Sequence, residues 1–274
     1  MSINDADFRY IRQLVKNRTS VTLAEDKAYL VESRLAALAK KTGASSVSYL
    51  LRKLRSQPFN RLHLEAIESM MITESCFFRD RHPFTTLQNF IIPELINKRQ
   101  TQKRLNIWCA GCSSGQEPYS IAILLREYFP QLTSWQVSLI ASDVSQTILE
   151  RARQGCYNHY EITRGLSPDL RAKYLQRRDK YWQIQTEIRQ MVEFIQFNLT
   201  DKWPPMSSLD IIFLRNVLIY FEVDTKKVIL AKVREWLKPD GYLFLGAGET
   251  TIEIDRAFKP VQFNKTTCYQ LIYS

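Results

Sequence analysis

The sequence predicts an α/β fold: a mostly parallel sheet closing in an antiparallel hairpin, preceded by a basic all-helical domain and interrupted by a small inserted β-subdomain. Three observations predict it. Apolar residues recur at helical spacing through residues 4–71. From about residue 104, short apolar runs alternate with amphipathic segments, which implies a parallel sheet covered on both faces. The last two apolar runs flank the short polar turn Asn264-Lys-Thr-Thr267, as the strands of a hairpin do.

Taken in order, the helical segments carry Phe8, Ile11, Leu14 and Val15, then Ala28, Val31, Leu35 and Leu38. Val47, Leu50, Leu51 and Leu54 follow, and then Leu62, Ile67, Met70 and Met71. Breaks fall at Thr19-Ser20, Gly43-Ala-Ser-Ser46 and Gln57-Pro58. Arg34 lies within an apolar stripe, so a nearby acid is expected to pair with it. Residues 1–72 are assigned to this domain, residues 73–103 to a linker that begins the functional site, and residues 104–274 to the sheet domain. Predicted strands are Arg104–Cys109, Gln136–Ser142, Met191–Phe197, Leu209–Leu214 and Gly241–Gly246. Predicted helices lie near 117–129, 145–154 and 224–237. Tyr157 to Gln190 is longer than a strand–helix connection needs, and Tyr181-Trp-Gln-Ile-Gln185 alternates like a strand. The insertion is therefore placed at about 157–190.

Composition narrows the class. Hydrophobic content of 45% and aromatic content of 12% suit a packed globular chain and argue against disorder. Met1–Asp7 is acidic and polar where a signal peptide would be basic and then apolar. The most apolar stretch, Ile211–Phe221, is broken by Arg215 and Asn216 and is too short to span a bilayer. A soluble cytoplasmic protein with no membrane insertion is expected. Five cysteines at uneven spacing do not suggest a disulfide framework. Cys109-Ala-Gly-Cys112 is a CxxC pair, which a redox or zinc site could use, but no second pair accompanies it. Small residues in a tight turn are the simpler reading. In residues 1–60, eleven bases stand against five acids and leave +6 of the total +10. Such a surface calls for a negatively charged partner, either nucleic acid or an acidic protein.

The polar residues at the strand ends carry the chemistry. The first strand runs into Cys109-Ala-Gly111-Cys-Ser-Ser-Gly-Gln-Glu117, a small-residue turn before a helix that lets a ligand approach the backbone. The second strand ends at Asp143, placed to accept hydrogen bonds from ribose hydroxyls; a helix N-cap is the alternative. Asn198-Leu199 end the third strand and Arg215-Asn216 the fourth, where open α/β sheets bind ligands or where side chains cap the elements.

Four segments, in this order, resemble the CheR-type chemoreceptor glutamate methyltransferases: Thr73-Glu-Ser-Cys-Phe-Phe-Arg79, Ala110–Ser120, Phe213-Leu-Arg-Asn-Val-Leu-Ile-Tyr-Phe221 and Gly241-Tyr-Leu-Phe-Leu-Gly-Ala-Gly-Glu249. The resemblance implies a class I S-adenosylmethionine-dependent methyltransferase sheet, S-adenosyl-L-methionine as cofactor and S-adenosyl-L-homocysteine as product. It implies cofactor contacts from Thr73, Ser75, Arg79, Gly111, Glu117, Asp143, Asn198, Leu199, Arg215 and Asn216, and no metal. The family often has Asn at position 73 and Thr at position 75, so Ser75 keeps its hydroxyl while Thr73 departs. Arg79 would pair with the methionyl carboxylate, or else form an ordinary linker salt bridge. Tyr220 would orient the incoming carboxylate, or else pack. The implied partners are the cytoplasmic methylation helices of chemotaxis receptors, with no nucleic acid. The basic charge of residues 1–60 makes the helices of that region, with Arg52, Lys53 and Arg55, the expected docking surface, and a monomeric enzyme is expected. Some relatives tether a receptor's C-terminal peptide through a glycine-rich loop in the insertion. Here only Gly155 and Gly165 stand near it, so a tether-independent enzyme is expected. Base-amine methyltransferases carry an Asn/Asp-Pro-Pro-Tyr-type motif where this chain has Arg215-Asn-Val-Leu-Ile-Tyr220. A non-catalytic module that keeps the cofactor pocket as a sensor is the other competing reading.

Overall fold

In the computed structural model, which describes residues 3–71, 74–204 and 208–272, the helical spacing at the start of the chain becomes four helices. These are α1 (Asp5–Thr19), α2 (Ala28–Thr42), α3 (Val47–Ser56) and α4 (Arg61–Met70). Each break has a local cause. The Asn4 side chain accepts from Asp7 N at 2.8 Å to start α1, and Ser20 ends it in the left-handed region at φ 56°. Gly43, at φ 72°, closes α2. Asn60 starts α4, where His63 Nδ1 accepts from Asn60 N while Nε2, carrying the proton, donates to Leu54 O at 2.8 Å. That buried histidine joins the end of α3 to the start of α4, so its role is structural.

The four apolar stripes meet in one core that includes Ile11, Val15, Leu35, Leu50, Leu54 and Met70. Arg34 does reach a partner, but not the expected acid: its guanidinium donates to the carbonyl of Met70, the last residue of α4. A helix C-terminus carries partial negative charge, so an unpaired carbonyl there serves in place of a carboxylate. Residues Tyr220–Glu222 group with these helices, and Tyr220 O accepts from Thr22 N at 3.0 Å.

The second unit comprises Thr73–Ile219 and Val223–Ser274. It opens with α5 (His82–Thr86), a π-helical turn over Leu87–Ile91, and α6 (Ile92–Lys98). The segment read from sequence as a linker is thus largely helical. Then follow β1 (Arg104–Ala110), α7 (Gln116–Tyr128), β2 (Gln136–Asp143) and α8 (Gln146–Gln154). The insertion contains β3 (Cys156–Tyr157), α9 (His159–Thr163), α10 (Pro168–Tyr174), β4 (Leu175–Arg178), β5 (Tyr181–Ile184) and α11 (Thr186–Arg189). The chain closes with β6 (Val192–Gln196), β7 (Leu209–Leu214), α12 (Val223–Trp236), β8 (Leu237–Leu245), β9 (Phe258–Phe263) and β10 (Thr266–Leu271).

The large sheet has the order β6-β2-β1-β7-β8-β10-β9, parallel through β8, with β10 antiparallel to both β8 and β9. The predicted hairpin is present, with a tighter turn of Asn264-Lys265. Strand β8 begins at Leu237, earlier than expected, with an irregularity opposite Leu209/Ile211. Gly241 permits this, because a Cβ there would stand 3.0 Å from the carbonyl oxygens of Leu209 and Asp210. The insertion forms its own three-stranded antiparallel sheet, β3-β5-β4, starting one residue before the expected boundary.

Strand β7 is buried along its whole length, yet its second residue is Asp210. Its carboxylate accepts from Arg99 Nε at 2.9 Å, Lys238 Nζ at 2.8 Å and Asn106 N at 2.8 Å. Arg99 also forms a two-point pair with Asp240. These bonds tie the end of α6 to β7 and β8 at the amino edge of the strands. Removing one member of a buried pair strands the others in low dielectric. Asp210→Ala should therefore lower unfolding stability by about 3 kcal/mol, measured by denaturant titration.

Candidate functional site

Because β1 sits between β2 and β7, the chain first builds outward to β6 and then crosses back to β7. The connections after β1 and β7 diverge to opposite sides, which opens a crevice at the carboxyl ends of these two strands. The turn after β1 lines it with small residues in left-handed backbone: Gly111 at φ 66°, Ser113 at 52° and Gly115 at 92°. At Gly111 the constraint is also steric, since a Cβ would fall 2.5 Å from Val217 Cγ2. The turn is held from below by Cys112 N, which donates to Ser142 O at 2.9 Å, and from the insertion by Tyr157 OH, which donates to Ser114 O at 2.6 Å.

Asp143 ends β2 beside this turn. One carboxylate oxygen accepts from Ser113 N at 2.9 Å and the other from Ser145 N at 3.1 Å. The N-cap of α8 is Ser145, whose hydroxyl accepts from Ile148 N, so the capping alternative for Asp143 does not hold. Cys109 and Cys112 are buried free thiols, and burial pushes both well above the ordinary thiol range. A thiolate, the form that redox chemistry or zinc requires, is disfavoured there. The CxxC pair is packing for the turn.

Arg215, at the tip of β7, has its side chain only 1% exposed and draws three segments together. Its guanidinium donates to Glu117 Oε2 at 2.8 Å on α7, to Asp80 Oδ2 at 2.5 Å, and to Arg79 O at 3.3 Å. Desolvation raises the Glu117 carboxyl, and the adjacent Arg215 charge opposes that rise. Arg79 is half-buried in a turn where Phe78, Asp80 and Arg81 all have positive φ, and Phe78 N is pinned to Ser120 Oγ at 2.9 Å. The Arg79 guanidinium faces the carbonyl of Glu74 at 3.5 Å rather than a linker carboxylate. Ser75 is half-buried in the strand-free stretch before this turn. Thr73 lies outside the described residues.

Asn198 and Leu199 follow β6. The Asn198 Oδ1 accepts from Thr200 N and Oγ1, so this side chain shapes the turn. Leu199 O accepts from Trp203 Nε1 at 2.9 Å, and Lys232 Nζ reaches the carbonyls of Leu199, Thr200 and Asp201. Gly111, Glu117, Asp143, Arg79, Arg215 and Asn216 thus gather around the β1, β2 and β7 ends, with Asn198-Leu199 at the neighbouring β6 end. Tyr220 groups instead with the helices, as do the exposed Arg52 and Lys53 on α3. Arg55 is tied down: it bonds Asp7 at 2.8 Å and lies over the Tyr10 ring.

Several participants were not picked out from sequence. Asp80 lies in an irregular turn that no periodic pattern marks, and Lys232 sits in an ordinary amphipathic helix. Arg9, Arg12, Gln13 and Lys16, at helical spacing on α1, line a cleft of about 290 Å³ with Thr22, Leu23 and Glu222. Their spacing was a legible signal.

A methionyl-adenosyl ligand fits this crevice. Asp143 can accept from a diol, and Glu117 and Arg79 offer opposite charges for an amino-acid moiety. The buried Arg215 Nε and Asn216 Oδ1 have no protein partner. Sheet order, terminal hairpin and strand-tip site together define the S-adenosylmethionine-dependent methyltransferase fold. Residues 73–267 match the family described as CheR methyltransferase, SAM binding domain, and residues 6–70 match CheR methyltransferase, all-alpha domain. The chain is 38% identical over 275 residues to chemotaxis protein methyltransferase Cher2 of Pseudomonas putida, covering 98% of this chain and 99% of the relative. It is 36% identical to chemotaxis protein methyltransferase 1 of Pseudomonas aeruginosa, with coverage of 98% and 99%. Identity to the chemotaxis protein methyltransferase of Vibrio parahaemolyticus is also 36%, with coverage of 99% and 98%. The chain belongs to the CheR methyltransferase family: it is a chemotaxis protein methyltransferase with an S-adenosylmethionine-binding domain. No helix among the described residues is long and apolar enough to cross a membrane.

Asp143→Asn keeps the shape of the side chain but loses the charge. Calorimetry with S-adenosylmethionine should show affinity weakened by about a hundredfold, the equivalent of two charge-assisted hydrogen bonds.

Proposed function

We propose that the enzyme transfers the methyl group of S-adenosylmethionine to side-chain carboxylates of specific glutamates on the cytoplasmic domain of chemoreceptors, giving glutamyl methyl esters. One observation carries this reading. The acids of the crevice are committed to guanidinium or backbone partners: Glu117 and Asp80 to Arg215, Asp143 to Ser113 N and Ser145 N. They are built to bind and position, so the acceptor must bring its own nucleophile. A glutamate side chain does so, being ionised at neutral pH.

S-Adenosylmethionine supplies an electrophilic methyl on a sulfonium sulfur, which takes the C–S electron pair as the new C–O bond forms, with no proton transfer. The protein's part is alignment and exclusion of water. Asp143 would hold the ribose hydroxyls, and Asn198-Leu199, with Thr73 and Ser75, the rest of the adenosyl group and its approach. Gly111 lets the ligand lie close to the backbone. Arg79 and Glu117 suit the methionyl carboxylate and ammonium, with Arg215 and Asn216 completing that end. Tyr220 would orient the incoming carboxylate.

The helical unit supplies charge complementary to an acidic receptor helix. Arg52 and Lys53 are exposed on α3, and Arg9, Arg12 and Lys16 line the α1 cleft. Such charges favour encounter and register, and their effect is screened by salt. The insertion's glycines have other tasks. Gly155 caps α8 in the left-handed region. Gly165 lies so close to Phe77 that an added Cβ would stand 1.8 Å from its carbonyl oxygen. Both roles are structural, which favours an enzyme that acts without a receptor peptide tether.

Radiolabelled methyl incorporated into receptor fragments should be released by mild alkali, as an ester is and an N-methyl group is not. A receptor lacking its C-terminal tail should be methylated at the same rate; a marked loss would reject tether independence. The Arg52→Glu, Lys53→Glu double variant should raise the receptor KM about tenfold and leave the cofactor KM unchanged. Arg55 is left intact in this test because it anchors α1 to α3.

A further inference from the structure

Glu249 takes no part in the contacts assigned above, yet its carboxylate accepts four backbone hydrogen bonds. Oε2 accepts from Gly246 N at 2.6 Å and Asn216 N at 2.7 Å, and Oε1 accepts from Val217 N at 2.8 Å and Ile219 N at 3.2 Å. Four backbone donors fill the acceptor capacity of one carboxylate. The loop after β7 has no regular partner for these amides, and Asn216 at its head is a non-glycine residue at φ 59°. Asn adopts that conformation readily, but the amides of a loop turned in this way need an external acceptor. Glu249 provides it from β8's trailing turn, while the loop's other side abuts Gly111 through Val217.

We infer that Glu249 is a positioning residue: its carboxylate sets the Asn216–Ile219 loop, and with it the presentation of Asn216 to the cofactor. The functional part of this inference rests on the proposed role of Asn216. Gly246 is the companion requirement. Its backbone is not left-handed, but an added Cβ would stand 2.6 Å from Asn216 Nδ2 and 2.8 Å from both Asn216 N and Glu249 Oε2. No other side chain leaves room for the carboxylate between the two turns.

The test measures S-adenosylmethionine affinity and methyl transfer for Glu249→Gln, Glu249→Asp, Gly246→Ala and Asn216→Ala, well below each variant's unfolding temperature. Glutamine offers one oxygen, so two of the four amides would face an NH2 group. E249Q should weaken cofactor binding about tenfold and lower kcat at saturating cofactor. E249D, which keeps the charge, should recover part of both. G246A should reproduce the E249Q pattern from the opposite side of the contact, and decides the matter if E249Q does not fold. Wild-type affinity and kcat in both E249Q and G246A would overturn the inference, as would an affinity loss no larger than the unfolded fraction accounts for. Should N216A bind normally while E249Q does not, the assignment of Asn216 fails and Glu249 stands. Should N216A bind weakly while E249Q and G246A bind normally, the inference fails alone. The binding arms are decisive whatever the methyl acceptor proves to be.

Discussion

The crevice depends on one buried guanidinium. Arg215 sits at the tip of a fully buried strand, where an isolated charge would cost several kcal/mol in lost hydration. It is tolerable only because Glu117, Asp80 and the Arg79 carbonyl converge on it. The same convergence fixes the start of α7 and the strained turn of residues 78–81 against the end of β7. Arg215 therefore couples three segments remote in sequence, and the polar groups carried by each gain a common frame. Local stability there is traded for order: the positive-φ backbone at Phe78, Asp80 and Arg81 persists because its surroundings over-determine it.

The second constraint is topological. Starting the sheet at its centre leaves a switch point between β1 and β7, and the first turn must bend sharply to reach α7. Gly111, Ser113 and Gly115 make that bend, and Asp143 secures it through Ser113 N. Binding and fold thus share residues. Asp143 supports, through Ser113 N and Ser145 N, the turn that the proposed ligand would approach. The carboxylates differ by environment rather than by type: Asp210, at the opposite edge, receives two cations and a backbone amide and serves the fold, while Glu117 faces the crevice with its carboxyl raised by burial.

In the helical unit, charge does two kinds of work. Arg55 and Arg34 are structural, one bonded to Asp7 and the other to a helix C-terminal carbonyl. Arg52, Lys53 and Arg9 remain exposed. Excess charge read from a sequence therefore overstates the surface open to a partner, since some bases are drawn into caps and ion pairs. The aliphatic stems of such residues also contribute packing, as Arg55 does over the Tyr10 ring.

Periodicity alone determined the four helices, the alternation of strand and helix, and the closing hairpin, because burial of one face imposes a spacing that survives any detail of packing. Motif resemblance supplied the chemistry, since a crevice built from strand ends keeps its polar residues at fixed points along the chain. Tertiary structure alone decided how these residues are used. Nothing local tells whether Asp143 caps the helix that follows until Ser145 is seen in the cap. Nor can spacing reveal that Arg34 answers a carbonyl, that the CxxC thiols are dry, or that Glu249 gathers amides from a loop some thirty residues earlier in the chain. Hydrogen bonds and desolvation act between neighbours in space, and a linear pattern records only which residues are available for them.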